Sequence, residues 1–263
     1  MKHKILSLII SILLMISLVG CQQNNAIIKP DVETKKVTEN SQEDYVTFTF
    51  DLPSDWKVFP QDYVSIACFS SKANETNASD KISPYKLSIE NYITPSLMPI
   101  NDKYKQAYKD LFNGKYDGIK NLICDNIEYI NASKVIDSFP DVNFETPESI
   151  LDYFNILVDG ISTSDVTMPE SWEDKEWAFD YNFSEYKGKN GNIIAVEYSY
   201  IIIDKTYKAI NCYRDDDFSV CGAFNDNAEL SSGDLALWVA DNMEITKHYK
   251  FEDNMLKQEG VDY

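Results

Sequence analysis

Arginine is almost missing from this chain: among 263 residues Arg214 is alone. Planar, two-pronged recognition of phosphate or carboxylate can therefore be built at one position only, and a phosphate-handling site is not expected. Histidine is nearly as scarce, with His3 and His248 the two copies. A histidine-rich zinc site cannot be assembled from them. A Ser-His-Asp or Cys-His pair would have to recruit His248, in Thr246-Lys247-His248-Tyr249, where a surface imidazole is the expectation. Glycine and proline number nine each and form no seam between domains. Long apolar runs are also lacking, apart from Ile5 to Val19.

Positive charge is the next deficit. Lys and Arg total 24 against 43 Asp and Glu, a net charge of −19. Such a surface repels nucleic acid and anionic lipid headgroups, which excludes nucleic-acid binding as an expectation. A cationic peptide, a basic envelope protein or a divalent cation would be attracted, although an acidic surface also simply keeps a protein soluble. Five cysteines are present, Cys21, Cys68, Cys124, Cys212 and Cys221, with no zinc-like spacing. The last four could pair as disulfides in an oxidising compartment or serve as small buried apolar groups.

What is there begins at the N-terminus. Met1-Lys2-His3-Lys4 is basic, and Ile5–Val19 holds only Ile, Leu, Met and Val besides three serines. That run suits a signal-peptide core and is short for a membrane span. Leu18-Val19-Gly20-Cys21, followed by Gln22-Gln23-Asn24-Asn25, resembles the bacterial lipobox. The resemblance implies cleavage after Gly20 and a diacylglycerol on the Cys21 thiol, holding the protein on the outer face of the cytoplasmic membrane. Each buried methylene contributes about 0.8 kcal/mol, and two acyl chains together give stable anchoring. Loss of residues 1–20 removes Lys2 and Lys4, leaving 22 basic and 43 acidic side chains, a net charge of −21. The heavy use of Lys, Asn, Asp, Ile and Tyr resembles that of a low-GC Gram-positive bacterium.

Residues 21–44 are polar and lack apolar periodicity, so they read as a disordered tether spanning roughly 25–30 Å. Residues 45–263 are expected to form one α+β domain, large enough to bury about 70% of its unfolded surface. Tyr45–Phe50 alternates as a strand, closed by Pro53, and further strands are expected over Tyr63–Phe69 and Leu87–Ile93. Ser70–Pro84 reads as a polar loop. Asp102–Phe112 carries Tyr104, Ala107, Tyr108 and Leu111 at helical spacing, with Gly114 and Gly118 as breakers. Ile119–Ile127 fits helix or strand. Thr146-Pro147 looks like a helix start, ahead of a stripe made by Ile150, Leu151, Phe154, Leu157 and Val158 and a stop at Gly160. Trp177, Phe179, Tyr181 and Phe183 alternate on one strand face. Ile193–Ile203, Thr206–Tyr213 and Phe218–Phe224 then complete a four-stranded antiparallel meander. Ser231 or Ser232 caps a last helix with Leu235, Trp238, Val239 and Met243 on one face.

The stretch Phe48-Thr49-Phe50-Asp51-Leu52-Pro53-Ser54-Asp55-Trp56 and the order of elements from Ile193 to Ile245 resemble the PsbP-like fold. The resemblance implies an antiparallel sheet, here the C-terminal meander, covered by helices, with a helical insertion in the middle of the chain. That fold hosts many unrelated roles, so it names no activity.

Three constellations carry possible chemistry. Glu170, Glu173, Asp174 and Glu176 flank Trp172 and Trp177, as a carboxylate-dependent glycosidase would require, yet acids are common enough here to cluster by chance. Asp215-Asp216-Asp217 offers oxygen ligands to Ca²⁺ without the EF-hand order, and a turn tip needs polar residues anyway. The 17 tyrosines and four tryptophans suit a peptide or sugar groove or, at alternating positions, a sheet core. No catalytic residue, metal ligand or cofactor is assigned. Cys212 and Cys221 flank the Asp215–Asp217 turn. If Asp215 faces Phe218 the two cysteines are opposed and can bridge; if Arg214 faces Asp217 they are diagonal, about 7–8 Å apart, and cannot. The leading expectation is a non-enzymatic, membrane-tethered binding or accessory module. A cell-envelope hydrolase and the substrate-binding lipoprotein of a transporter are the alternatives.

Overall fold

The computed structural model describes residues 26–73, 83–93, 102–137, 175–202, 205–252 and 255–258. The fold is α+β, and the strand pairs among the described residues are antiparallel. Strands β3 (Lys57–Asp62), β4 (Ser65–Phe69), β5 (Lys86–Asn91), β6 (Ala178–Gly188), β7 (Gly191–Ile202), β8 (Lys205–Arg214) and β9 (Phe218–Ala223) form one seven-stranded sheet ordered β3-β4-β5-β9-β8-β7-β6. A three-stranded sheet pairs β1 (Thr34–Asn40) and β10 (Glu244–Lys247) to either side of β2 (Val46–Pro53). A small hairpin joins β11 (Tyr249–Glu252) to β12 (Met255–Gln258). Among the described residues the α-helices are α1 (Asp102–Leu111), α2 (Asp117–Asp137) and α3 (Ser232–Asn242).

The large sheet is apolar on both faces, and that organises everything else. Along β7, Ile193 and Ala195 turn to one side while Ile194, Val196, Tyr198 and Tyr200 turn to the other, as a period of two demands. The first side packs Phe48, Phe50 and Leu52 of β2 and Leu235, Trp238 and Val239 of α3. The second packs Ala107, Tyr108 and Leu111 of α1 and Ile119, Ile123 and Ile127 of α2. Fully buried side chains such as Phe48, Phe50 and Leu235 are worth about 1.5–3 kcal/mol each relative to exposure.

Local chemistry sets the helix ends. Gly114, at φ +73°, closes α1, with Gly114 N–H donating to Leu111 O and Lys115 N–H to Asp110 O, a left-handed cap that glycine adopts without strain. Gly118 does not break a helix. It lies in the first turn of α2, where a Cβ would come 2.9 Å from Ala107 Cβ, so it permits the two helices to close together. Ile119–Ile127, open between helix and strand in the sequence, lies within α2. Ser231 caps α3 through a reciprocal box with Asp234.

Three expectations are corrected. Residues 34–44 are not tether: Thr34–Asn40 pairs with β2 from Thr34↔Pro53 to Asn40↔Thr47, with Val37 against the core, and Gln42–Asp44 forms a 3-10 turn. The polarity of this segment reflects an edge strand with one solvated face. The sheet extends beyond the four-stranded meander, which continues through β5, β4 and the unforeseen β3, while the first hydrophobic strand, β2, belongs to a separate small sheet. The alternation of Trp177, Phe179, Tyr181 and Phe183 is broken, because Asp180 (φ +54°) creates a bulge between Phe179 and Asn182. An extra residue reverses facing, so Phe179 and Tyr181 point to opposite sides. The helix start at Thr146 and the stripe from Ile150 to Gly160 lie outside the described residues.

Because β1 is hydrogen-bonded along its length, limited proteolysis of the native protein should spare residues 34–40. Early cleavage inside that strand, read by mass spectrometry, would contradict its pairing.

Candidate functional site

A dense polar constellation surrounds the sole arginine, and it joins three elements. Arg214 ends β8 and is 3% exposed. Its Nη1 donates to Ala240 O and to Met243 O, both at 2.6 Å, at the C-terminus of α3. Its Nε donates to both oxygens of Asp216, at 3.1 and 3.2 Å, and its Nη2 donates to Asp216 Oδ2 at 2.5 Å. A cation at the negative end of a helix dipole, with carbonyls it can satisfy, is electrostatically well placed. On the opposite side of the strand Tyr92 Oη donates to Arg214 O at 2.5 Å.

The acidic turn is a set of three separate anchors. Asp215 Oδ2 accepts from Asn192 N–H at 3.0 Å and from Asn192 Nδ2 at 2.8 Å. Asp216 holds Arg214, and Asp217 accepts from Lys247 Nζ at 3.2 Å. The three carboxylates thus diverge toward β7, Arg214 and β10, the reverse of the convergence that a Ca²⁺ site needs. Asp217 takes φ +78°, so the loop has three residues and closes on a left-handed position that aspartate tolerates.

That loop decides the cysteines. The observed register pairs Cys212 with Val220 and Asn211 with Cys221, intermediate between the two registers considered from sequence. Cys212 therefore faces the α3 side, and Cys221 lies on the other face of the sheet. Both are free thiols, as are Cys68 and Cys124. The bridge between Cys212 and Cys221 is ruled out in this arrangement by the pleat itself. Burial pushes the thiols of Cys68, Cys212 and Cys221 up, which removes them as thiolate nucleophiles near neutral pH.

His248 lies just past β10. Its Nε2 is 2.8 Å from Thr47 Oγ1, while that hydroxyl donates to Asn40 Oδ1 at 2.9 Å. With its proton directed at Asn40, Thr47 receives a hydrogen bond from the imidazole. The pair is a strut across β1, β2 and the C-terminal segment, not a base addressing a nucleophile. In the carboxylate–tryptophan cluster, Glu170, Trp172, Glu173 and Asp174 lie outside the described residues. Glu176 is exposed, and Trp177 is buried in the α2-side core with Lys175 Nζ 4.4 Å from its ring centroid. The Glu128 carboxyl on α2 is raised, by partial burial first and by Asp125 second, and both side chains stand on the exposed part of the helix.

The tyrosines divide as the alternation implied. Tyr92, Tyr108 and Tyr213 form a buried cluster with ring centroids 4.4 to 5.7 Å apart, and Tyr198 and Tyr200 are buried beside it. Tyr116 stacks on Phe183 at 4.0 Å and 11°, with Tyr181 next in the row. The Arg214 centre itself was not legible as a site. Its signal was the presence of one arginine in so acidic a chain.

No protein family, no curated protein and no solved structure matches the chain.

Replacing Arg214 with Ala should cost about 3 kcal/mol, because two helix-terminal carbonyls and Asp216 lose a shared donor. Arg214→Lys should recover only part of this, since one ammonium cannot reproduce the fork. Urea unfolding measures both, and wild-type stability in Arg214→Ala would refute the assignment.

Burial raises the hydroxyls of Tyr92, Tyr108, Tyr198 and Tyr213, and raises Tyr249 to about 12. The unfolded chain then loses these protons first, near the usual value of about 10. The tyrosines' contribution to stability is whole below that pH and falls as pH rises through the folded-state values. Alkaline titration followed by tyrosinate absorbance should show a delayed, cooperative rise that coincides with unfolding. A smooth titration of every tyrosine near 10 would contradict this packing.

Proposed function

We propose that the protein is a lipid-anchored extracytoplasmic lipoprotein acting as a non-enzymatic binding or accessory module. The observation that carries the reading is Leu18-Val19-Gly20-Cys21 after a basic start and an apolar run, with the next described residues, from Ala26 onward, leading directly into the folded domain. Cys21 is the lipidated residue, and the lipid places the domain on the outer face of the cytoplasmic membrane. Support for a non-enzymatic role comes from how the conspicuous polar groups are used: Arg214, the three aspartates of the turn and His248 each hold fold elements together. The strongly acidic surface suits a basic envelope protein or a cationic peptide as partner. Within the α+β class we read the domain as a variant of the PsbP-like layout. Support lies in the sequence of β2, the helices α1 and α2, the meander β6–β9 and α3.

Cys21→Ala should abolish incorporation of a fatty-acid analogue and release the protein from the membrane fraction or leave it uncleaved. Equal labelling of wild type and variant would overturn the anchor.

A further inference from the structure

Four large apolar side chains stand exposed among the described residues, and two of them, Ile28 (80%) and Val32 (38%), fall within five residues of each other. The segment bearing them is fastened to the domain. Ile27 packs against the core, and Lys29 Nζ lies 6.0 Å from the Trp238 ring centroid on α3 and 3.0 Å from Thr34 Oγ1. Val32 N–H donates to Pro30 O, and Ser54 N–H to Glu33 O, each at 2.9 Å. Ile28 and Val32 are thus displayed outward by a segment whose neighbours are held.

The covalent chain limits how far this surface can stand from Cys21. Six residue steps separate Cys21 from Ile27, and even fully extended they span no more than about 22 Å. The charge is also locally inverted. Residues 26–36 carry Lys29, Lys35 and Lys36 against Asp31 and Glu33, in a chain whose net charge is −19. Apolar tips flanked by lysines suit the boundary between headgroups and acyl chains.

We infer that Ile28 and Val32, with Lys29 between them in the chain, rest on the lipid bilayer and orient the domain. This rests on the lipid-anchor reading of Cys21. The N-terminal segment lies on the α3 side of the large sheet, whereas α1 and α2 cover its other face. The α1–α2 face therefore points away from the membrane and is the side presented to partners.

The test uses the full-length protein, processed in cells and reconstituted into vesicles containing phosphatidylglycerol and a headgroup-attached quencher. A genetically encoded fluorescent residue replaces exposed Asp31 in one sample and exposed Lys109, on α1, in another. Fatty-acid labelling is read on the same material. The expected result is label in both samples and quenching several-fold stronger at 31 than at 109. That difference should be lost when Ile28→Asp and Val32→Asp are introduced together. Label present with equal or no quenching, including a surface covered by a second copy of the chain, overturns the docking while leaving the anchor intact. Absence of label overturns the anchor reading and the inference with it.

Discussion

The structure depends on one buried guanidinium. Arg214 terminates β8 where the two cores meet. Its side chain ties the C-terminus of α3 into one core, while its carbonyl accepts the Tyr92 hydroxyl from the other. A buried cation is costly unless its donors are used, and here they reach two carbonyls and a carboxylate. Removing it would take a shared donor from Ala240 O, Met243 O and Asp216 at once. A lone arginine in so acidic a chain is thus a structural part and not a ligand-binding one.

Around that centre α3 is fixed at both ends. At its start, Ser232 Oγ donates to Ser83 O and accepts from Ala223 N–H, and Gly222 lets the helix approach so closely that a Cβ there would collide with Ser232 O. At its end, Asp241 accepts from Lys189 N–H, Asn242 accepts from Asp51 N–H, and Asn190 donates to Met243 O. Three segments far apart in sequence therefore converge on one helix. Docking of Ile27 and Lys29 onto the same side makes the N-terminal segment part of that assembly. A domain gripped in this way transmits the position of its N-terminus to its whole orientation.

Much of the secondary structure could be read from periodicity. Ile194, Val196, Tyr198 and Tyr200 do share a face, α1 presents the anticipated stripe, and Ser231 is the cap of α3. These features depend on local geometry, which the spacing of apolar residues encodes directly. The misses have equally definite causes. The bulge at Asp180 shifts facing by one residue without altering composition. The strand Thr34–Asn40 is polar because it is an edge, and β3 carries Pro60, which removes a ladder donor and disguises it.

From the sequence alone came the acidic surface, the scarcity of catalytic histidine, the candidate lipid site at Cys21 and the antiparallel meander. All follow from counts or from patterns within about a dozen residues. Tertiary structure decided the hairpin register that sends Cys212 and Cys221 to opposite faces, and the separate partners of Asp215, Asp216 and Asp217. It also decided that residues 34–40 pair with β2 and that Arg214 closes on α3. Those outcomes turn on which distant backbone carbonyl or strand edge each group meets. Chain spacing carries no record of that until the two sides of the large sheet have been covered.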